Sequence, residues 1–214
     1  MGLFLFVAAV KGKQPLEIAA SIKIYLDQIG FKTEIKSAEK WREEIKNRSN
    51  FDVIDPLALT AIFNLKNNFS TISFDNCPFQ ETDACKQISN QLDTIVSLIE
   101  VYDSSTWYHR LFQNGSIIDK FCNNPEEFEG IEKAIKFKGN PSTLTRIFGI
   151  NELEIEQYLF QFTSENREIN LSRKISPSDD YSLESEWFFI DFWKKLGIEY
   201  PKSSPQFVLF HKIK

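Results

Sequence analysis

Imidazole and thiol groups are scarce in this chain. His109 and His211 are its only histidines, and Cys77, Cys85 and Cys122 are its only cysteines. One of each falls in a single stretch, TWYHRLFQNGSIIDKFC, from Thr106 to Cys122. A cysteine beside a histidine can be activated as a thiolate, so His109 and Cys122 are the candidate catalytic residues for a small hydrolase or transferase. Arg110 and Asp119 lie in the same stretch.

The turn between them predicts their geometry. Asn114-Gly115 marks a two-residue hairpin loop. That loop sets Gln113 against Ser116, and counting back sets His109 against Lys120, Arg110 against Asp119 and Trp107 against Cys122. Arg110 and Asp119 would then form a cross-strand ion pair contributing ~0.2–1 kcal/mol. Cys122 would share a face with His109 on a diagonal, beyond direct hydrogen-bond reach. This register argues against a His–Asp dyad and against a thiolate–imidazole pair.

Other chemistries have less support. The eight-position spacing of Cys77 and Cys85 matches no compact zinc knuckle, and with only two histidines a zinc site would need distant residues to converge, so no metal is expected. An odd cysteine count argues against a disulfide scaffold. The eight glycines are dispersed, with neither a phosphate loop nor a dinucleotide fingerprint, so no cofactor is expected. A nucleophile elbow and a calcium loop are also missing from the sequence. The candidate binding residues are of another kind. Glu126, Glu127 and Glu129, with Glu132 nearby, form an acidic run that could meet a basic partner, although Lys133, Lys136 and Lys138 follow it. Asp179 and Asp180 sit in the polar interval 164–182, and Trp107 is an aromatic contact on the hairpin. Trp41, Trp187 and Trp193 recur at helical spacing and are read as packing residues.

The elements that must position these residues follow from hydrophobic periodicity. Residues 94–102, TIVSLIEVY, are apolar on both alternating faces, as in a strand covered on both sides. With the two strands of the hairpin they predict an antiparallel meander over 94–122. At the N-terminus, residues 2–10 predict a buried strand, 15–29 a helix opened by Pro15 and stopped by Gly30, and 31–35 a second strand. Strand–helix–strand implies a right-handed crossover and two parallel neighbours. A helix carrying Trp41 follows, then a short helix from Asp55-Pro56 through Leu65, a strand at 71–74 and a helix from Thr82. Beyond Cys122 the chain reads as short helices started at Pro125, Pro141 and Asn151, a long surface loop over 164–182, a helix from Ser182 to Gly197, and a last strand at 207–212.

The resulting expectation is an α/β (α+β) fold: a mixed sheet with an antiparallel meander at 94–122 and helices packed against it. It is expected to be one globular domain over 1–214, more helical from about residue 123. Hydrophobic residues make up 42% and charged residues 26%, an ordinary globular balance, and 20 phenylalanines supply aromatic bulk for the core. The apolar run at the N-terminus ends at Val10, too short for a membrane span and without a basic lead, so a cytoplasmic protein is expected. A formal charge of −5 makes nucleic acid an unfavoured partner. Taken together these features predict a noncatalytic protein-interaction or regulatory domain with a protein partner. The alternatives are an enzyme using His109 and Cys122, and a nucleic-acid-associated accessory factor.

Overall fold

The computed structural model describes residues 3–47, 58–75, 80–130 and 134–213. Contacts divide the chain into two compact units. The first comprises Phe6–Val96, Phe112–Ser116 and Pro201–Lys214. The second comprises Met1–Leu5, Ser97–Leu111 and Ile117–Tyr200.

The first unit is built on strands β1 (Leu5–Lys11), β2 (Phe31–Ser37), β3 (Ala58–Ile62), β4 (Phe69–Asp75) and β8 (Phe207–Ile213), in the order β2-β8-β3-β4-β1. The pairings are antiparallel, with Ile35 opposite Leu209, Thr60 opposite Leu209 and Phe74, and Ala8 opposite Ile72. Helix α1 (Pro15–Gln28) begins where Pro15 needs no N–H partner and the Glu17 carboxylate accepts the Gln14 N–H at 2.8 Å. Its buried face is Pro15, Ile18, Ala19, Ile22 and Leu26, while Leu16 and Ile24 point to solvent. Helices α2 (Ala38–Asn47) and α3 (Glu81–Gln91) complete the unit, and Ser21 on α1 donates to Gln91 on α3 at 2.6 Å.

Two sequence expectations fail in this unit. β1 and β2 are not parallel neighbours: β1 pairs with β4 and β2 with β8, both antiparallel. The strand between β2 and β3 comes from the far end of the chain, and no local pattern can announce it. Residues 58–62, expected to continue a helix from Asp55-Pro56, form β3, hydrogen-bonded on both sides. Asp55, Pro56 and Cys77 lie outside the described residues.

The second unit carries the expected meander, β5 (Val96–Tyr102), β6 (Thr106–Gln113) and β7 (Ser116–Cys122), with β7 last in the order. Asn114 and Gly115 both take positive φ (50° and 75°), the conformation of a type I′ turn. Among the described residues, five short helices follow: α4 (Pro125–Glu129), α5 (Pro141–Phe148), α6 (Glu152–Tyr158), α7 (Arg167–Asn170) and α8 (Phe188–Lys195), with a 3₁₀ turn at Ile135–Phe137. Asn140 and Asn151 cap α5 and α6 by accepting the N–H groups of Thr143 and Glu154, and Gly149 ends α5 in the left-handed region. Phe188, Phe189, Phe192 and Trp193 of α8 are buried. The α8 helix begins at Phe188 rather than Ser182, because residues 182–187 form turns. The interval 164–182 is also more ordered than a surface loop: Arg173 and Leu171 carbonyls accept the N–H groups of Leu183 and Glu184.

The hairpin register departs from the count taken at its tip. In the turn, Ser116 faces Gln113, so strict alternation would also turn the backbone groups of Lys120 toward β6. The Lys120 carbonyl instead turns outward and accepts the Gly139 N–H at 3.0 Å. Likewise Trp107, counted opposite Cys122, stacks with Phe121 at 4.9 Å and accepts the Asn123 N–H at 3.2 Å. One extra residue in β7, a β-bulge, accounts for both observations. A one-residue slip moves side chains to the opposite face, with direct consequences for the candidate residues.

Candidate interaction surface

His109 is fully buried. Its Nε2 lies 3.0 Å from Ser97 Oγ, which also accepts the Trp193 indole N–H at 3.0 Å. The indole can only donate, and the direction of the Ser97–Nε2 bond follows the imidazole tautomer. Phe192 meets the imidazole edge-on, and Nδ1 has no hydrogen-bond partner among the described residues. Burial pushes the imidazole pKa down to about 3, so His109 is neutral near pH 7. A Ser–His pair is thus present, but it is sealed within packed aromatic side chains. Ser97 was not among the sequence candidates; the one small polar residue in an apolar strand was its only signal.

Cys122 is also fully buried and clusters with Tyr108, Phe137 and Tyr102. Tyr108 and His109 are successive residues of β6 and point to opposite faces, so the structure separates the thiol from the imidazole. The slip also breaks the expected Arg110–Asp119 pair. Arg110 pairs with Glu100 on β5, and both are largely shielded from solvent. Asp119 is 8% exposed with Oδ2 unpartnered. Burial raises its pKa to about 6, against the N–H groups of Lys120 and Asn140, which act in the other direction.

The described acidic candidates differ in their settings. Glu127 pairs with Arg167 at 3.4 Å and accepts from the Asn124 side chain, while Glu126 is half-buried at the start of α4. The Glu129 side chain, Glu132 and Lys133 lie outside the described residues. Asp179 is buried and accepts the Tyr158 hydroxyl at 2.7 Å and the Ser176 N–H at 2.8 Å. Burial and then Asp179 push the Tyr158 phenol above its ordinary range. The Asp180 side chain faces Lys194 at 3.6 Å, and its N–H donates to the buried Asp191 carboxylate. Trp107 is 2% exposed against Phe121, Phe188 and Phe192. No group of three or more His, Cys, Asp or Glu among the described residues is placed to hold a metal, and no described helix is long and apolar enough to cross a membrane.

Two open clefts of this unit flank the segment 138–139, one of about 430 Å³ reaching Phe160 and Arg173 and the other along β7. A cleft of about 380 Å³ runs between the bulged strand and the segment 135–140. Ile117 and Ile135 stand at it 39% and 65% exposed, and Asp119 lies in its wall. Gly139 (φ +72°) lets the chain approach β7, and Pro141, which has no N–H, then starts α5. Lys136 and Lys138 are exposed on the rim, and Lys120 lies over the Phe137 ring at 4.5 Å. None of the three lysines is matched by a carboxylate among the described residues. The cleft therefore sets branched apolar side chains beside cationic groups, with Asp119 and Asn140 in the same lining. Comparison with known protein families, curated proteins and solved structures finds no match.

Proposed function

We propose that this chain is a noncatalytic protein-interaction module whose contact surface is the β7 cleft. The observation that carries this reading is the exposed Ile117–Ile135 pair beside unmatched lysines. Exposed apolar area rimmed by charge is characteristic of protein contact surfaces. The sealing of His109 and Cys122 on opposite faces favours it over an enzyme built on those two residues. A regulatory role would follow from the partner engaged.

Affinity capture from lysate tests the reading, with wild type and an Ile135→Asp, Lys138→Glu variant run in parallel. Both changes are at exposed positions, and the variant's thermal unfolding is measured to show that it remains folded. A partner held by wild type and lost by the folded variant supports the reading, and direct binding with the purified partner then confirms the pair. Equal capture by both proteins overturns the assignment of this surface. A hydrolytic or transfer activity abolished by His109→Ala or Cys122→Ala in folded protein would overturn the noncatalytic reading.

A further inference from the structure

Resting on that reading, we infer that the β7 cleft takes an acidic peptide segment with interspersed aliphatic side chains, held through its side chains rather than added as a strand. Charge complementarity selects the class of partner. The chain as a whole is acidic, yet Lys120, Lys136 and Lys138 line this cleft against one described carboxylate in its lining, that of the largely buried Asp119. Of the acidic run before them, Glu127 is engaged with Arg167 and Asn124. Ile117, Ile118 and Ile135 supply the apolar contacts that distinguish a peptide from a bare polyanion.

The backbone of β7 argues against strand addition. An added strand needs a run of outward N–H and C=O groups at regular alternation. Here the bulge breaks that alternation, and Gly139 already occupies the Lys120 carbonyl. Bulges and lysines on edge strands are the features that keep edges from pairing. A second copy seated on the same strand would bring its lysines against these lysines, which disfavours self-pairing. An acidic, aliphatic segment from another protein escapes that penalty.

The test uses the full chain and fluorescently labelled peptides of alternating glutamate and leucine. Control peptides carry glutamine for glutamate, serine for leucine, or methyl groups on alternate backbone nitrogens. Wild type should bind the parent peptide, and either side-chain control should bind about tenfold or more weakly. Lys136→Gln with Lys138→Gln should weaken the parent peptide to a similar degree, whereas backbone methylation should change affinity by less than about threefold. Loss of binding on methylation would show strand addition and overturn the inference. Heparin binding with equal affinity would reduce the cleft to a general anion surface, with the same consequence. If the parent peptide does not bind while partner capture still depends on Ile135 and Lys138, the docking surface stands and the acidic class fails. If capture is also unaffected by those changes, the surface itself is wrong.

Discussion

Replacing Asp119 by asparagine keeps the shape of the side chain and removes a charge that the fold holds under poor solvation. The carboxyl is 8% exposed, Oδ2 has no partner, and burial moves its pKa from 3.8 to about 6. That difference corresponds to about 3 kcal/mol. A carboxyl with a raised native pKa favours the fold when protonated, so its contribution is highest below pH 3.8 and is lost as pH rises through 6. Asp119→Asn should therefore be more stable than wild type near pH 7.5. The shift to about 6 already includes the opposing N–H groups of Lys120 and Asn140, so a gain approaching about 3 kcal/mol is expected. The gain should shrink as pH falls and vanish by about pH 4. His109 gives the opposite slope: its pKa drops from 6.5 to about 3, so its contribution is complete above 6.5 and declines as pH falls toward 3. Between 3.8 and 6 the two slopes nearly cancel in wild type. In the variant the histidine slope of about 1.4 kcal/mol per pH unit is no longer offset by Asp119. Urea unfolding of both proteins at half-unit pH steps, read as the difference in free energy, isolates Asp119 from all other groups, His109 included. A variant less stable than wild type near neutrality, with the deficit disappearing in acid, would mean that the carboxylate is held by a favourable partner and would refute the reasoning.

Three further substitutions test the interior. Ser97→Ala strands the Trp193 indole N–H and the His109 ring in a sealed core and should cost about 1–3 kcal/mol in urea unfolding, while binding at the β7 cleft is unchanged. Arg110→Met leaves Glu100 buried without its cation and should cost about 3–5 kcal/mol, whereas adding Glu100→Gln should recover part of that loss; an equal or larger loss in the double variant would show that the pair is not coupled. Gly139→Ala puts a methyl at a left-handed backbone position, 3.0 Å from Leu159 and 3.3 Å from Phe121. A loss of about 1–3 kcal/mol is expected by thermal or urea unfolding.

Local chemistry made much of the fold legible. Asn114-Gly115 dictates its own turn, since few other residues tolerate two successive positive φ values. Pro15, Pro141 and Asn151 place helix starts because each satisfies or removes orphan N–H groups within three residues. The apolar run on both faces of β5 similarly announced a covered strand. Neighbour choice was less legible: β8, about 170 residues beyond β2, is what lies beside it, and hydrophobic alternation does not specify a partner. Burial of the polar residues was equally hidden. Asp179 reads as a loop carboxylate until Tyr158 and Ser176 close around it, and Leu153 reads as core although it is exposed.

The candidate residues divide along the same line. By itself the sequence determined that imidazole and thiol would sit on one hairpin, because both are encoded within a stretch whose turn is locally specified. Only the tertiary structure decided that they would not meet. An extra residue in β7, stabilised by the packing of Trp107 on Phe121 and by Gly139 on the strand's outer edge, turned Cys122 toward Tyr108 and left His109 facing Ser97. The lysines around the cleft were visible as letters in an ordinary mixed-charge run. Their grouping beside Ile117 and Ile135 arises from long-range contact, in which residues 135–140 fold back on a strand some twenty positions earlier and side chains distant in sequence share one solvent boundary.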